Sequence, residues 1–468
     1  MIVEDAGSTA AGAAVIDQTS GQGFDLVIRA ERALLPEGVS RAEIGVKDGR
    51  IAEIAAGSSL TGAVAADADI VEVDETQILL PGLVDTHVHV NDPGRSEWEG
   101  FDSATRAAAA GGVTTIIDMP LNSLPPTVNV EALDVKREVA GPKAFVDVGF
   151  WGGAIPGNTA DLAPLHEAGV YGFKCFLEDS GVEEFPPLEP EEMRADMAEL
   201  ARFDGLLIVH AEDHEVMASV PKGPGGPKFS DFLATRPKEA ENVAIARVIE
   251  AARETGARAH ILHLSSADAL PQIAAAKAEG VKLTVETCPH YLVFSAEEIP
   301  DGATTHKCCP PIREEANREA LWQGLIDGTI DCIVSDHSPS TAELKLLESG
   351  DFGSAWGGIS SLQLGLSLVW TEAAERGIDL AEVVRWMSSA PAAVARVENK
   401  GSIVVGNDAD FAIFAPDEKW TVSATELYHR NQITAYDTRT VRGAVKSTIL
   451  RGAPVSFDEP QGRLLTVR

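Results

Sequence analysis

His87 and His89 stand one residue apart at the end of the apolar run Leu80-Pro81-Gly82-Leu83-Val84-Asp85. Alternate side chains of a strand share a face, so both imidazoles would point the same way and offer two nitrogens to one metal ion. A His-x-His pair also arises on ordinary strands, so the reading depends on what else the chain supplies. Lys174, His210, His263 and Asp336 each lie in, end or follow an apolar run of strand length, at 171–176, 206–210, 260–264 and 330–335. Four histidines and an aspartate at separate strand ends are metal-ligand types that chance explains poorly. Lys174 differs, because a protonated lysine cannot ligate a cation. It is either ion-paired or snorkelling, or, desolvated beside two metals, it is a neutral amine that adds carbon dioxide and becomes a bridging carbamate. Such a bridge suits ions about 3.5–4 Å apart, the spacing of two-metal hydrolytic sites.

These residues need a scaffold that brings strand ends together. Strand-like runs at 82–85, 113–118, 145–150, 171–176, 206–210, 260–264, 282–286 and 330–335 alternate with helix-like stretches such as 103–110, 191–203, 241–254 and 267–279. Eight parallel strands with intervening helices predict an α/β fold, a closed (β/α)8 barrel over 81–399 whose active site gathers at the C-terminal strand ends. Shorter strands at 24–30 and 43–55, the latter interrupted by the hairpin signal Lys47-Asp48-Gly49-Arg50, have counterparts at 411–414 and 444–451. Residues 24–80 and 400–468 are therefore expected to build one small β-domain from both chain ends, with 1–23 a flexible head. The Pro- and Gly-rich stretch 221–227 can continue neither element type and is expected to be a surface loop.

Composition narrows the function classes. The 468 residues are 44% hydrophobic, ample for a large core, and 38 basic against 72 acidic side chains leave a net charge of −34. That charge repels phosphate backbones and anionic membranes, so neither nucleic acid nor membrane is an expected partner. Cys175, Cys288, Cys308, Cys309 and Cys332 are odd in number and lie mostly in apolar settings, which speaks for a reducing compartment. No apolar window reaches membrane-span length, and Glu4 and Asp5 stand where a signal peptide carries basic residues, so a cytoplasmic protein is expected. No glycine-rich phosphate cradle followed by Lys and Ser or Thr occurs.

Five segments carry a family resemblance: Asp85-Thr86-His87-Val88-His89-Val90-Asn91-Asp92-Pro93-Gly94-Arg95, Asp118-Met119-Pro120-Leu121-Asn122-Ser123, Gly172-Phe173-Lys174-Cys175-Phe176-Leu177, Ser335-Asp336-His337-Ser338-Pro339 and Ala355-Trp356-Gly357-Gly358-Ile359-Ser360-Ser361. From Phe24 onward the chain resembles the cyclic amidohydrolases, the group of dihydroorotases, hydantoinases and allantoinases, and most of all the allantoinase branch. The resemblance implies two divalent ions per chain, with zinc favoured and manganese or cobalt as alternatives. It also implies that Lys174 is carbamylated and bridges, that His87 and His89 hold one ion with Asp336, and that His210 and His263 hold the other. Asp336 would then be the catalytic residue, taking a proton from the nucleophile and returning it to the departing ring nitrogen. A homotetramer is implied as well.

Substrate choice rests on departures between branches. Dihydroorotase-like chains carry an Arg two residues past the second histidine to grip a carboxylate, where this chain has Asn91. Hydantoinase-like chains place a tyrosine five residues after the lysine, where this chain has Asp179. A small ureide ring such as allantoin, opened to allantoate in purine catabolism, is the implied substrate; hydantoinase- or dihydropyrimidinase-type ring opening is the alternative. Asn91, Asn122, Cys309, Ser338 and Gly358 are candidate substrate contacts, each of them also a plausible turn or packing residue. A ligand-free barrel acting as an interaction protein is the rival class, disfavoured because all six ligand positions are filled.

Overall fold

The apolar runs become eight parallel strands: Leu83–Val88, Val113–Asp118, Asp147–Phe150, Phe173–Phe176, Leu206–His210, Arg258–Ile261, Leu283–Thr287 and Cys332–Ile333. The structure is a computed structural model describing residues 23–467, so the head expected to be flexible lies outside the described residues except for Gly23. Nearly every residue of these strands is buried, because helices cover the outer face while side chains fill the interior. The ring closes where Val88 pairs in parallel with His337 and the His89 N–H donates to the His337 carbonyl at 2.8 Å. Helices Phe101–Ala110, Pro190–Ala201 and Lys238–Thr255 occupy the stretches expected to be helical, and 267–279 becomes a 3-10 turn, Ala267–Ala269, followed by the helix Leu270–Ala278. The sixth strand departs from expectation. It ends at Ile261, and His263 stands beyond it in the left-handed region with φ 35°.

The chain ends meet in an eight-stranded sheet. Its order runs Ala453–Pro454, Thr440–Leu450, Phe411–Thr421, Ile78–Pro81, Phe24–Leu35, Gly38–Lys47, Arg50–Ala56, and Val64–Val73 pairs with Phe24–Leu35 off this path. Asp48 and Gly49 both have positive φ, 51° and 76°, as the two-residue turn joining Lys47 to Arg50 requires. A core of its own, including Ile28, Ile44, Leu79, Phe411 and Ile413, stabilises this sheet apart from the barrel interior. Between sheet and barrel lies a buried ion cluster: Lys400 Nζ reaches Asp147 and Asp410 at 2.6 Å and Asp408 at 2.9 Å. Beyond it, Gly462, Arg463 and Leu465 bond the main chain beside the strand Asp147–Phe150, so the tail is laid against the barrel. Residues 221–227 form an irregular loop.

Candidate metal centre

The first strand, Leu83–Val88, carries His87 inside its last turn of pleat and His89 just past its end, and both rings face the barrel axis. His87 Nε2 lies 3.1 Å and His89 Nε2 3.7 Å from Asp336 Oδ1, which the chain after the eighth strand supplies. His87 Nε2 makes no hydrogen bond in hydrogen-bond geometry, although it is fully buried. Across the barrel mouth His210, last residue of the fifth strand, points Nδ1 at His263 Nε2, 3.0 Å away. The His87 and His263 ring centroids are 5.4 Å apart, so the two pairs form one cluster. Lys174, only 1% exposed, makes no side-chain hydrogen bond among the described residues and rests its ammonium over the Phe176 ring.

Carboxylates behind the histidines set their tautomers. Glu286 Oε1 accepts from His87 Nδ1 at 2.5 Å and from the His263 N–H at 3.2 Å, while Oε2 faces His260 Nε2 at 2.9 Å. With Nδ1 protonated toward Glu286, His87 keeps its Nε2 lone pair for the cluster. Glu212 does the same for His210, taking Nε2–H at 2.8 Å, and Arg236 Nη1 is 2.5 Å from the same oxygen.

Electrostatics in this buried space keep the carboxylates ionised and most of the bases short of a proton. Burial works against ionisation, yet Asp336 and Glu286 together lift His87 to about 9. Glu286 and Glu212 are both held down to about 2, against burial, by His87 and His260 in the first case and by Arg236 and His210 in the second. Burial, joined by repulsion from Lys174 and His87, keeps His89 well below its ordinary value, and burial with His210 and His87 does so for His263. Burial also lowers Lys174 to about 8, so about a tenth of its amine is uncharged at pH 7. The neutral imidazoles of His89 and His263, an ionised carboxylate and a desolvated amine, with His87, His89 and Asp336 ligand atoms within 4.8 Å of one another, fit divalent ions by donor chemistry, and His87 joins the set by exchanging its Nε2 proton for the metal.

Next to the cluster opens a cavity of about 230 Å³ lined by His89, Lys174, His210, His263 and Asp336. Of the candidate substrate contacts, Asn122, Cys309, Ser338 and Gly358 line it, as does Asp179. Asn91 does not: it is 1% exposed, and its amide has no hydrogen-bond partner among the described residues. Gly358 has φ 112°, and a Cβ there would come within 2.2 Å of the Ser338 carbonyl oxygen, so this wall admits no side chain. Two buried lysines hold the wall by its carbonyls: Lys345 Nζ donates to Trp356 O at 3.0 Å and to Gly358 O, and Lys307 Nζ to Ala355 O at 2.5 Å. A larger hollow of about 790 Å³ at the opposite end of the barrel, around Asp204, Arg258 and Lys400, contains none of these residues.

Residues 78–455 match the model of the amidohydrolase family. The chain belongs to this family. Among its relatives, an allantoinase of Streptomyces avermitilis is 57% identical over 446 residues, 94% of this chain and 98% of that one. An allantoinase of Saccharomyces cerevisiae is 48% identical over 81% of this chain and 82% of its own length. Among solved structures, the L-hydantoinase (dihydropyrimidinase) from Arthrobacter aurescens superposes with a TM-score of 0.88 at 30% identity, covering 95% of this chain and 100% of that one. Family membership makes the chain a cyclic-amide hydrolase with a binuclear metal centre, built on a (β/α)8 barrel carrying a β-domain.

Several residues of this amidohydrolase site carry weaker sequence signals. Glu286 ends an apolar run expected to be a strand, as the histidines do, so residue type at a strand end was its signal. Glu212 stands two residues past His210. Arg236 lies on a loop with no pattern to mark it. His260 is buried and supports Glu286. His290 is fully buried, neither ring nitrogen has a hydrogen-bond partner among the described residues, and ligand atoms of Cys288 and Asp336 lie within 4.8 Å of it.

Proposed function

We propose that this amidohydrolase opens the ring of allantoin to give allantoate. The observation that carries the reading is the convergence of His89, Lys174, His210, His263 and Asp336 on one small cavity, with His87 against Asp336 behind them, in a chain 57% identical to an allantoinase over nearly its whole length. His87 and His89 with Asp336 would hold one divalent ion, His210 and His263 the other, and a carbamate on Lys174 would be shared between them; zinc is the ion we favour. Bound there, the two ions supply an acidified water and polarise the scissile carbonyl.

The chain's own groups do the rest. Glu286 and Glu212 fix the tautomers of His87 and His210 so that the ligating nitrogens face inward. Burial alone would raise Asp336, but His87, His290 and Lys174 outweigh it and keep the carboxylate ionised. It can therefore take a proton from the nucleophile at Oδ and deliver it to the departing ring nitrogen. The wall of Asn122, Cys309, Ser338 and Gly358 orients a flat, hydrogen-bonding ring. Position 91, where dihydroorotase-like chains carry an Arg that grips a carboxylate, has no guanidinium in this chain, which favours a substrate without a ring carboxylate. Five unpaired cysteines suit a cytoplasmic setting, and no helix of the described residues is long and apolar enough to cross a membrane. The tetramer implied by the resemblance is read by sedimentation of the purified chain.

The test compares specificity constants for allantoin, hydantoin, dihydrouracil and dihydroorotate at equal metal loading. Allantoin should be highest; a clear preference for dihydrouracil or dihydroorotate overturns the substrate while leaving the cyclic amidohydrolase chemistry in place.

A further inference from the structure

Among the cationic side chains of the cavity wall, one has donor hydrogens left over. Lys307 spends its ammonium on the carbonyls of Ala355 and Gly353, and Lys174 sits in the metal cluster. Arg236 lines the same cavity, yet among the described residues its side chain makes a single hydrogen bond, Nη1 to Glu212. Its Nε and Nη2 hydrogens are left without a protein partner, and the side chain remains 19% exposed.

The residue is also held firmly. Its N–H donates to Leu233 O at 3.1 Å, and its carbonyl accepts from Arg313 Nη1 at 3.1 Å. Arg313 is in turn locked to Glu241 at 2.6 Å, both side chains 2% exposed. Pro237 follows at once and opens the helix Lys238–Thr255, so the backbone carrying the guanidinium has little freedom. Arg236, Lys307 and Cys309 form the partition between this cavity and an adjoining hollow of about 540 Å³, the direction in which a substituent on a ring bound at the cluster has space.

We infer that Arg236 is a specificity-determining residue whose free guanidinium edge donates to the carbonyl oxygen of the substrate's ureido arm. This rests on the allantoin reading. The charge of Arg236 is already balanced by Glu212, so a neutral, strongly accepting oxygen suits it better than a second carboxylate. A ring without the arm leaves the guanidinium edge unmatched inside the cavity, the condition under which a hydrogen-bonding site discriminates most strongly.

The experiment measures specificity constants for allantoin and for hydantoin, which has the ring and no ureido arm, in the metal-loaded wild type, Arg236→Gln and Arg236→Lys, together with ions per chain. In Arg236→Gln the allantoin-to-hydantoin ratio should fall about ten- to hundredfold, the worth of one charged hydrogen bond, with the ion content of the wild type; Arg236→Lys should recover part of it. A ratio equal to the wild type's overturns the inference, whether both substrates are unaffected or both fall together. A parallel fall with loss of ions would show that Arg236 acts through Glu212 on His210 alone. A wild type that does not favour allantoin over hydantoin refutes the substrate reading itself, whereas a wild-type preference that survives Arg236→Gln refutes only the role of Arg236.

Discussion

Glu286→Gln isolates the carboxylate that stands behind the first histidine. Glu286 receives three N–H groups, from His87 Nδ1 at 2.5 Å, His260 Nε2 at 2.9 Å and the His263 main chain at 3.2 Å. Glutamine keeps the shape and volume but offers one acceptor oxygen, and its amide presents donors where the second oxygen was. One imidazole must then give up its tautomer or rotate. If the oxygen stays with His87 and His263, His260 loses its partner; if it turns to His260, the His87 lone pair is no longer directed inward. Either way one charge-assisted bond is lost, a net of about 1.5–3 kcal/mol. At about 1.4 kcal/mol per decade this is roughly ten- to hundredfold in affinity, the range found when groups supporting a metal-ligating histidine are removed. The assay titrates divalent ions against a competing chelator, with circular dichroism to verify the fold. One ion, the one that His87 and His89 would hold on the proposed assignment, should be lost at lower chelator concentration, and excess metal should restore part of the turnover. A folded Glu286→Gln protein that holds both ions within about twofold of the wild type would refute the reasoning.

Four further outcomes are expected. Lys174→Ala should retain the fold but lose ions and turnover together, because alanine carries no carbamate; elemental analysis of the purified variant decides it. Asp336→Asn should keep part of its metal and turn over about a hundredfold or more slowly, as removal of a general base does, which steady-state kinetics at saturating metal will show. Lys345→Met strips the carbonyls of Trp356 and Gly358 of their donor, so KM should rise about tenfold with ion content unchanged, while an unchanged KM would mean that the wall holds without it. Asp196, whose Oδ2 is buried without a partner, is raised by burial from 3.8 to about 6, the Thr159 hydroxyl only partly offsetting this. Between those pH values the folded chain binds a proton that the unfolded chain has lost, so stability falls as pH rises through the window and the penalty stays in full above it. Asp196→Asn should therefore melt above the wild type at pH 7, with the difference vanishing toward pH 4; equal melting temperatures at both would count against it.

Residue type and strand period were enough to read much of this protein. A buried parallel strand must be apolar on both faces, so 113–118 and 206–210 declare themselves with the bounds they have in the fold, and a histidine at the end of such a run has few reasons to be there other than chemistry. The same local logic gave the Asp48-Gly49 turn and the helix after each of several strands. What it could not give was anything fixed by contacts distant along the chain. His263 left the strand expected to hold it because its left-handed backbone is set by the loop's packing around Glu286, not by neighbours in sequence. Asn91 stands two residues past His89 and yet is buried and does not line the cavity, a matter of how the turn after His89 is packed. Glu286 and His87 are 199 residues apart, and Glu212 and Arg236 meet only through a loop whose sequence carries no period. Those pairings decide which nitrogen of each histidine is free and which donor in the wall is left for a substrate, and closure of the barrel alone brings them within reach.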